Sequence, residues 1–243
     1  MLFSRDKTPL NTPTAIEKES PVIEVVRPDV IIGISSKNGR PTAVEDAELR
    51  NRFTSSALQR CELCGASLTA DMIHPVKIGK GLYNACGMCF CAMNLDRIPH
   101  YQRGAIIYFP NLNQTRLNAL LRAMWSVDLM LEMDPRNQDL IQLHEVMNEM
   151  SVVFDGQVML TNGNMGSSNT EVYASMMHLL RDEEYEQRYK LFKNFRWLPD
   201  RVIFEDEISY WAQTDSHHLH PEKMSGNITQ FMSKYVPDFS LKK

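Results

Sequence analysis

Every cysteine in the chain falls between residues 61 and 91, and four of the five form two Cys-x-x-Cys pairs, Cys61/Cys64 and Cys86/Cys89. A Cys-x-x-Cys turn delivers two thiolates to one side of a metal, and a second pair completes the tetrahedral sulfur shell that zinc takes in closed structural sites. Buried thiols can also pack as small hydrophobes without any metal. The paired spacing, with Gly65 and Gly87 supplying backbone freedom for tight knuckles, favours one structural Zn2+ held by Cys61, Cys64, Cys86 and Cys89. A redox Cys-x-x-Cys usually stands alone, so the tandem arrangement also favours metal over disulfide chemistry. Cys91 is expected to point away as a buried thiol. His74 is an alternative ligand, although a lone histidine in a loop reads first as an ordinary polar residue.

The neighbouring elements must hold these pairs together. Residues 45–60 carry Leu49, Phe53 and Leu58 in a polar background and predict a helix leading into the first pair. Between the pairs, Met72, Ile73, Val76 and Ile78, then Gly79, Gly81, Leu82 and Tyr83, suit a short hairpin. Phe90–Leu95 predicts a short helix after the second pair. Knuckle, hairpin, knuckle, helix is the order of a treble-clef zinc module, placed at about 58–100. So small a module builds little core of its own, and metal would contribute on the order of 10 kcal/mol to its folding.

The rest of the chain predicts an α+β, mainly helical fold in a single domain over 21–213, with the treble-clef module surrounded by α-helices. Residues 1–20 read as a flexible arm and 214–243 as a C-terminal tail. The β-branched runs Val22–Val26 and Val30–Ile34 suggest a hairpin or edge strands. Gly104–Phe109 reads as a strand stopped by Pro110, and Asn113 as the cap of a long helix bearing Leu117, Leu120, Leu121, Met124, Val127 and Leu131. Further helices are predicted over 137–150, 171–181 and 183–195, with a loop over 161–170. Pro199 opens a last helix with Phe204, Ile208 and Trp211 inward. His217, His218 and His220 in the tail read as a solvated cluster before a metal site, since no Cys or acid stands at ligand spacing. The 15 methionines read as adaptable core filler before a binding groove.

With 243 residues, 43% hydrophobic, the chain can bury a sizeable core. A formal net charge of −4 argues against a protein built to hold nucleic-acid phosphates. No segment reaches the roughly 18 apolar residues of a membrane span and no signal sequence is evident at the N-terminus, so a soluble, cytoplasmic protein without direct membrane insertion is expected.

Treble clefs with two Cys-x-x-Cys pairs include the HNH nucleases, and Asp71-Met72-Ile73-His74-Pro75 resembles their hairpin text. Their chemistry needs a histidine base and a second metal's ligands. Met72 falls at the base position, Gly81 at the asparagine position and Phe90 after the second knuckle, so the site reads as degenerate and the protein as no enzyme. His74, on the same side as Met72, is the alternative base for a metal-dependent HNH-type endonuclease. A DNA-binding zinc protein is a further alternative.

Beyond the cysteines, GAIIYFPNLNQTRLNALL at 104–121 and LFKNFRWLPDRVIFEDEISYWA at 191–212 are long, idiosyncratic strings. With the paired knuckles and Gly65, they resemble the DotN (IcmJ) proteins of type IVB secretion systems and related conjugation machineries, over about Cys61 to Gln213. That resemblance implies an HNH-like zinc fold without nuclease activity. The role implied is an adaptor binding the C-terminal region of a DotL-like coupling ATPase, alongside other coupling-complex subunits, at the cytoplasmic face of the inner membrane, and aiding substrate recruitment. The string around Arg196, Trp197 and Trp211 is where a partner surface is expected, because Trp and Arg anchor interfaces; core filling is the alternative for both tryptophans.

Overall fold

The computed structural model describes residues 27–56, 59–98 and 104–215, and it is mainly helical with two small antiparallel sheets. The N-terminal arm, most of the tail with its three histidines, and Leu58 lie outside the described residues.

The elements run α1 (Ala43–Thr54), β1 (His74–Ile78), β2 (Gly81–Ala85), α2 (Gly87–Met93), β3 (Ala105–Tyr108), α3 (Gln114–Met133) and α4 (Gln138–Met165). Then follow α5 (Thr170–Leu179), α6 (Asp182–Glu186), α7 (Arg188–Leu191), β4 (Phe195–Leu198) and α8 (Glu205–Thr214). Helix α1 begins two residues before the predicted start because Thr42 and Glu45 form a reciprocal capping box, and it buries Leu49 and Phe53. The predicted hairpin is β1 and β2, paired with Val76 opposite Tyr83 and Ile78 opposite Gly81. Helix α2 starts on the second cysteine pair, with Cys86 as its N-cap. Asn113 caps α3 by accepting from the Arg116 amide at 2.9 Å.

Two expectations are corrected, and a third reaches beyond the described residues. Val30–Ile34 is mostly buried and pairs with no strand among the described residues, while Val22–Val26, the other half of the expected hairpin, lies outside them. Its backbone finds other partners: the Gly33 amide donates to Ala92 O, the Leu95 amide to Gly33 O, and the Ile34 amide to the Tyr185 hydroxyl at 2.8 Å. Residues 161–165, predicted as loop, continue α4. There the Thr161 hydroxyl is buried against the sheet, donating to Gln157 O at 2.7 Å and accepting from the Tyr108 amide at 2.8 Å. Finally, 183–195 is not one helix. It breaks into α6 and α7, after which β4 pairs antiparallel with β3, Ile106 opposite Trp197.

Entry of the chain into β3 beside the end of β4 makes a strict demand at Gly104, whose φ of +64° lies in the left-handed region, where a Cβ would run into the Leu198 carbonyl. Gly79 has a similar φ of +58° but open space around it. Gly104→Ala should therefore cost several kcal/mol, more than the roughly 1–2 kcal/mol of left-handed strain alone expected for Gly79→Ala, as compared by urea unfolding.

The core joins these parts through Phe204, which meets Trp125, Trp197 and Trp211 at ring-centroid distances of 6.1, 6.3 and 6.5 Å. Both Trp197 and Trp211 are fully enclosed and Arg196 is 5% exposed, so the string expected to offer a partner surface instead fills the core. Arg196 spends its guanidinium on backbone carbonyls of Leu112, Lys193 and Phe195. Burial lowers its pKa to about 10, partly opposed by Asp29.

Candidate metal centre

The first knuckle is a closed turn. The Cys61 amide donates to Ala66 O at 2.7 Å and the Gly65 amide returns to Cys61 O at 2.9 Å. Gly65 has φ +80°, in the left-handed region that L side chains rarely adopt, so the turn favours glycine there; the Arg27 guanidinium lies 2.8 Å from where a Cβ would be. The knuckle is tied to the hairpin by Glu62, whose amide donates to Asn84 O and whose carboxylate accepts from the Asn84 amide and from Arg52.

The second knuckle is the first turn of α2, so the hairpin delivers Cys86 and the helix delivers Cys89. All four cysteines are buried and their sulfurs lie within 4.8 Å of one another, with Cys64 Sγ and Cys86 Sγ 3.5 Å apart. A tetrahedral ZnS4 centre with ordinary bonds separates its sulfurs by ~3.8 Å, which falls inside this range. The donor set is all sulfur, as zinc prefers, and Cys61, Cys64, Cys86 and Cys89 would hold one ion. Bound there, it would supply cross-linking of the two knuckles.

Amide donors already surround the sulfurs. Cys61 Sγ accepts from the Cys64 amide at 3.4 Å and from the Cys86 amide at 3.3 Å. Without a cation, so dense a group cannot ionise together: hydrogen bonding with Cys61 and Cys64 pushes the Cys86 and Cys89 thiols well above the ordinary range. Cys64 is held well below it, first by Cys61 and then by the other two sulfurs. A divalent cation among the four sulfurs would favour their thiolate forms.

Helix α3 carries a polar ladder at four-residue spacing inside its apolar stripe, which composition and periodicity alone do not reveal as part of the site. Gln114 accepts from the Trp197 amide and donates to Trp197 O and to Asn118 Oδ1, all at 2.8 Å. Asn118 Nδ2 donates to Cys89 Sγ at 3.3 Å, and Arg122 Nη1 to Cys64 Sγ at 3.5 Å. Such partners orient ligands and tune the metal. The signal was present as Gln114, Asn118 and Arg122 at i, i+4, i+8 on a helix whose neighbours are Leu117 and Leu121.

Arg122 also reaches Asp215 Oδ2 at 3.6 Å and lies over the Trp211 ring at 5.7 Å. Burial opposes its charge, but Cys64, Cys86 and Asp215 hold its pKa above the usual value. Asp215 accepts from the Ser67 hydroxyl at 2.6 Å, and Trp211 Nε1 donates to Ser67 O at 3.0 Å. Helices α3 and α8 therefore close one side of the centre.

His74 is outside the cysteine group: its ring stacks on Phe90 at 4.8 Å and 25°. Burial first, then Arg50, lowers its pKa. Cys91 is also outside the group, and its thiol is pushed up to about 12 by burial and by Glu207. Among the described residues no other group of three or more His, Cys, Asp or Glu side chains could hold a metal, and no helix is long and apolar enough to cross a membrane.

No family model matches the sequence. The chain is 28% identical over 177 residues to the type 4 apparatus protein DotN of Legionella pneumophila, a stretch covering 67% of this chain and 74% of that protein.

Proposed function

We propose that this chain is a non-enzymatic, zinc-stabilised subunit of a type IV secretion or conjugation apparatus. The carrying observation is its similarity to the type 4 apparatus protein DotN, spanning most of both chains. Within that reading the knuckle, hairpin, knuckle and helix around the four cysteines form a treble clef of HNH type, with zinc as a structural clasp. The adaptor binds the C-terminal region of the DotL-like coupling ATPase at the cytoplasmic face of the inner membrane and helps to gather substrates.

Absence of nuclease activity belongs to the same proposal. Thioether Met72 cannot accept a proton, Gly81 offers no side-chain ligand, and Phe90 covers one face of His74, the remaining base. Plasmid DNA incubated with the zinc-loaded protein and magnesium or manganese should stay intact. Cleavage abolished by His74→Ala would replace the adaptor reading with that of an enzyme.

Mixing the zinc-loaded protein with the C-terminal region of the coupling ATPase encoded in the same genome should give a stoichiometric complex on size exclusion. Separate elution at micromolar concentrations would remove the adaptor role.

A further inference from the structure

A cavity of about 740 Å³ is lined by the extended segment at 29–31, the loop at 37–39, the β1–β2 turn and helix α7, and by none of the four cysteines. Its wall is of two kinds. Val30, Ile31, Ile78 and Met93 make an apolar part, and the exposed ring of Tyr189 also lines it. The rest is strongly basic: five lysine and arginine side chains stand against two carboxylates, Asp29 and Glu186, in a chain whose formal net charge is −4.

Three of the five cations are already engaged. Arg196 is spent on backbone carbonyls, while Lys37 pairs with Asp182 at 3.2 Å and Lys77 with Glu45 at 3.3 Å, carboxylates that do not line the cavity. The other two, Arg188 and Lys193, form no ion pair among the described residues. Arg188 lies over the Tyr185 ring at 4.4 Å and donates only to neutral oxygens, Nη2 to Asn38 Oδ1 at 3.1 Å and Nη1 to Tyr185 O at 3.4 Å. Its buried Nε finds no acceptor. The guanidinium is thus oriented without being neutralised, and it shares a cavity with an unpaired ammonium. A phosphate group answers both, since its oxygens accept charge-assisted hydrogen bonds from a planar fork and from a point charge. Its charge of nearly two matches two cations, where a carboxylate brings one. The volume exceeds what a lone phosphate needs and falls in the range of small-ligand sites, and the apolar wall suits an organic body.

We infer that this cavity binds a small phosphate monoester, with Arg188 and Lys193 on the phosphate and the apolar wall and Tyr189 against the organic body. The inference is independent of the adaptor reading. Titration calorimetry on the full zinc-loaded chain tests it, with adenosine monophosphate, glucose 6-phosphate, orthophosphate and unphosphorylated adenosine as probes. At least one ester should bind saturably with a Kd below ~1 mM, more tightly than either orthophosphate or adenosine. Lys193→Gln, at an exposed position, should weaken the ester at least tenfold, the loss of one charge-assisted hydrogen bond. Arg188→Lys keeps the charge without the fork and should lose affinity as well. Arg136→Gln removes the same charge from an exposed residue outside the cavity and should change nothing. No saturable binding of either ester up to ~5 mM, or equal losses in Lys193→Gln and Arg136→Gln, overturns the site. Adenosine binding as tightly as its monophosphate overturns the role of the two cations, and orthophosphate binding as tightly as the esters overturns the organic body. A single-stranded oligonucleotide that binds more tightly than the mononucleotide, and is weakened by Lys193→Gln, would assign the surface to nucleic acid and overturn the small-molecule reading.

Discussion

Cys86→Ser should yield a chain that retains no stoichiometric zinc and has lost the cooperative thermal transition of its parent. Cys86 touches everything the centre depends on. Its sulfur is 3.5 Å from that of Cys64, its amide donates to Cys61 Sγ, and its backbone carries the strand β2 to helix α2 junction. A serine oxygen is a poor replacement for thiolate in a soft four-sulfur shell. Metal binding and folding of such modules are one process worth on the order of 10 kcal/mol, comparable to the whole stability of a domain. Elemental analysis should give about one zinc per wild-type chain and much less for the variant, with chelation of the wild type reproducing the variant's loss of structure by circular dichroism. A metal-free protein that melts as sharply as the wild type would show that the sulfurs pack without an ion.

Arg122→Ala should come second, costing about 3–5 kcal/mol in urea unfolding, the range seen when one member of a buried ionic group is removed. The guanidinium is only 12% exposed as a side chain and lies among Cys64 Sγ, Asp215 and the face of Trp211. Its loss removes the closer of two arginines beside Asp215, leaving Arg60 at 4.0 Å and the Ser67 donors, and takes away the guanidinium that donates to Cys64 Sγ. Arg122→Lys keeps a charge but lacks the planar fork that serves several partners at once, so it should recover only part of the loss. Faster zinc release to a chromogenic chelator from Arg122→Ala than from the wild type would separate an effect on the centre from simple loss of packing. Equal release rates and an unfolding cost below 1 kcal/mol would dismiss the contact as incidental.

The four cysteines were legible because ligand spacing is local: each pair fits within one turn, and the structure brings both pairs together. Caps were legible for the same reason, as with Asn113 on α3. What escaped depends on distance along the chain. Among the described residues strand β4 pairs with β3 alone, about ninety residues earlier, and nothing in Phe195–Leu198 by itself distinguishes a strand from the last turn of a helix. Loop-like letters at Thr161-Asn162-Gly163-Asn164 were overridden because the Thr161 hydroxyl bridges the helix to β3. The tryptophans invited an interface reading by residue type, and only packing around Phe204 shows them enclosed. Gln114, Asn118 and Arg122 follow helical spacing, but their significance appears only when sulfurs from another part of the chain lie beside them.

The latch between Asp215 and Ser67 joins residues separated by 148 positions. During synthesis the second cysteine pair leaves the ribosome more than a hundred residues before that latch exists, a delay on the order of 10 s at common elongation rates. For that interval the side later covered by α8 stands open, and a cation can reach all four sulfurs. Once Trp211 and Asp215 arrive, the same side is shut. Order of translation thereby places access to the four sulfurs before closure, so a metal taken up in that interval would be enclosed by the growing chain.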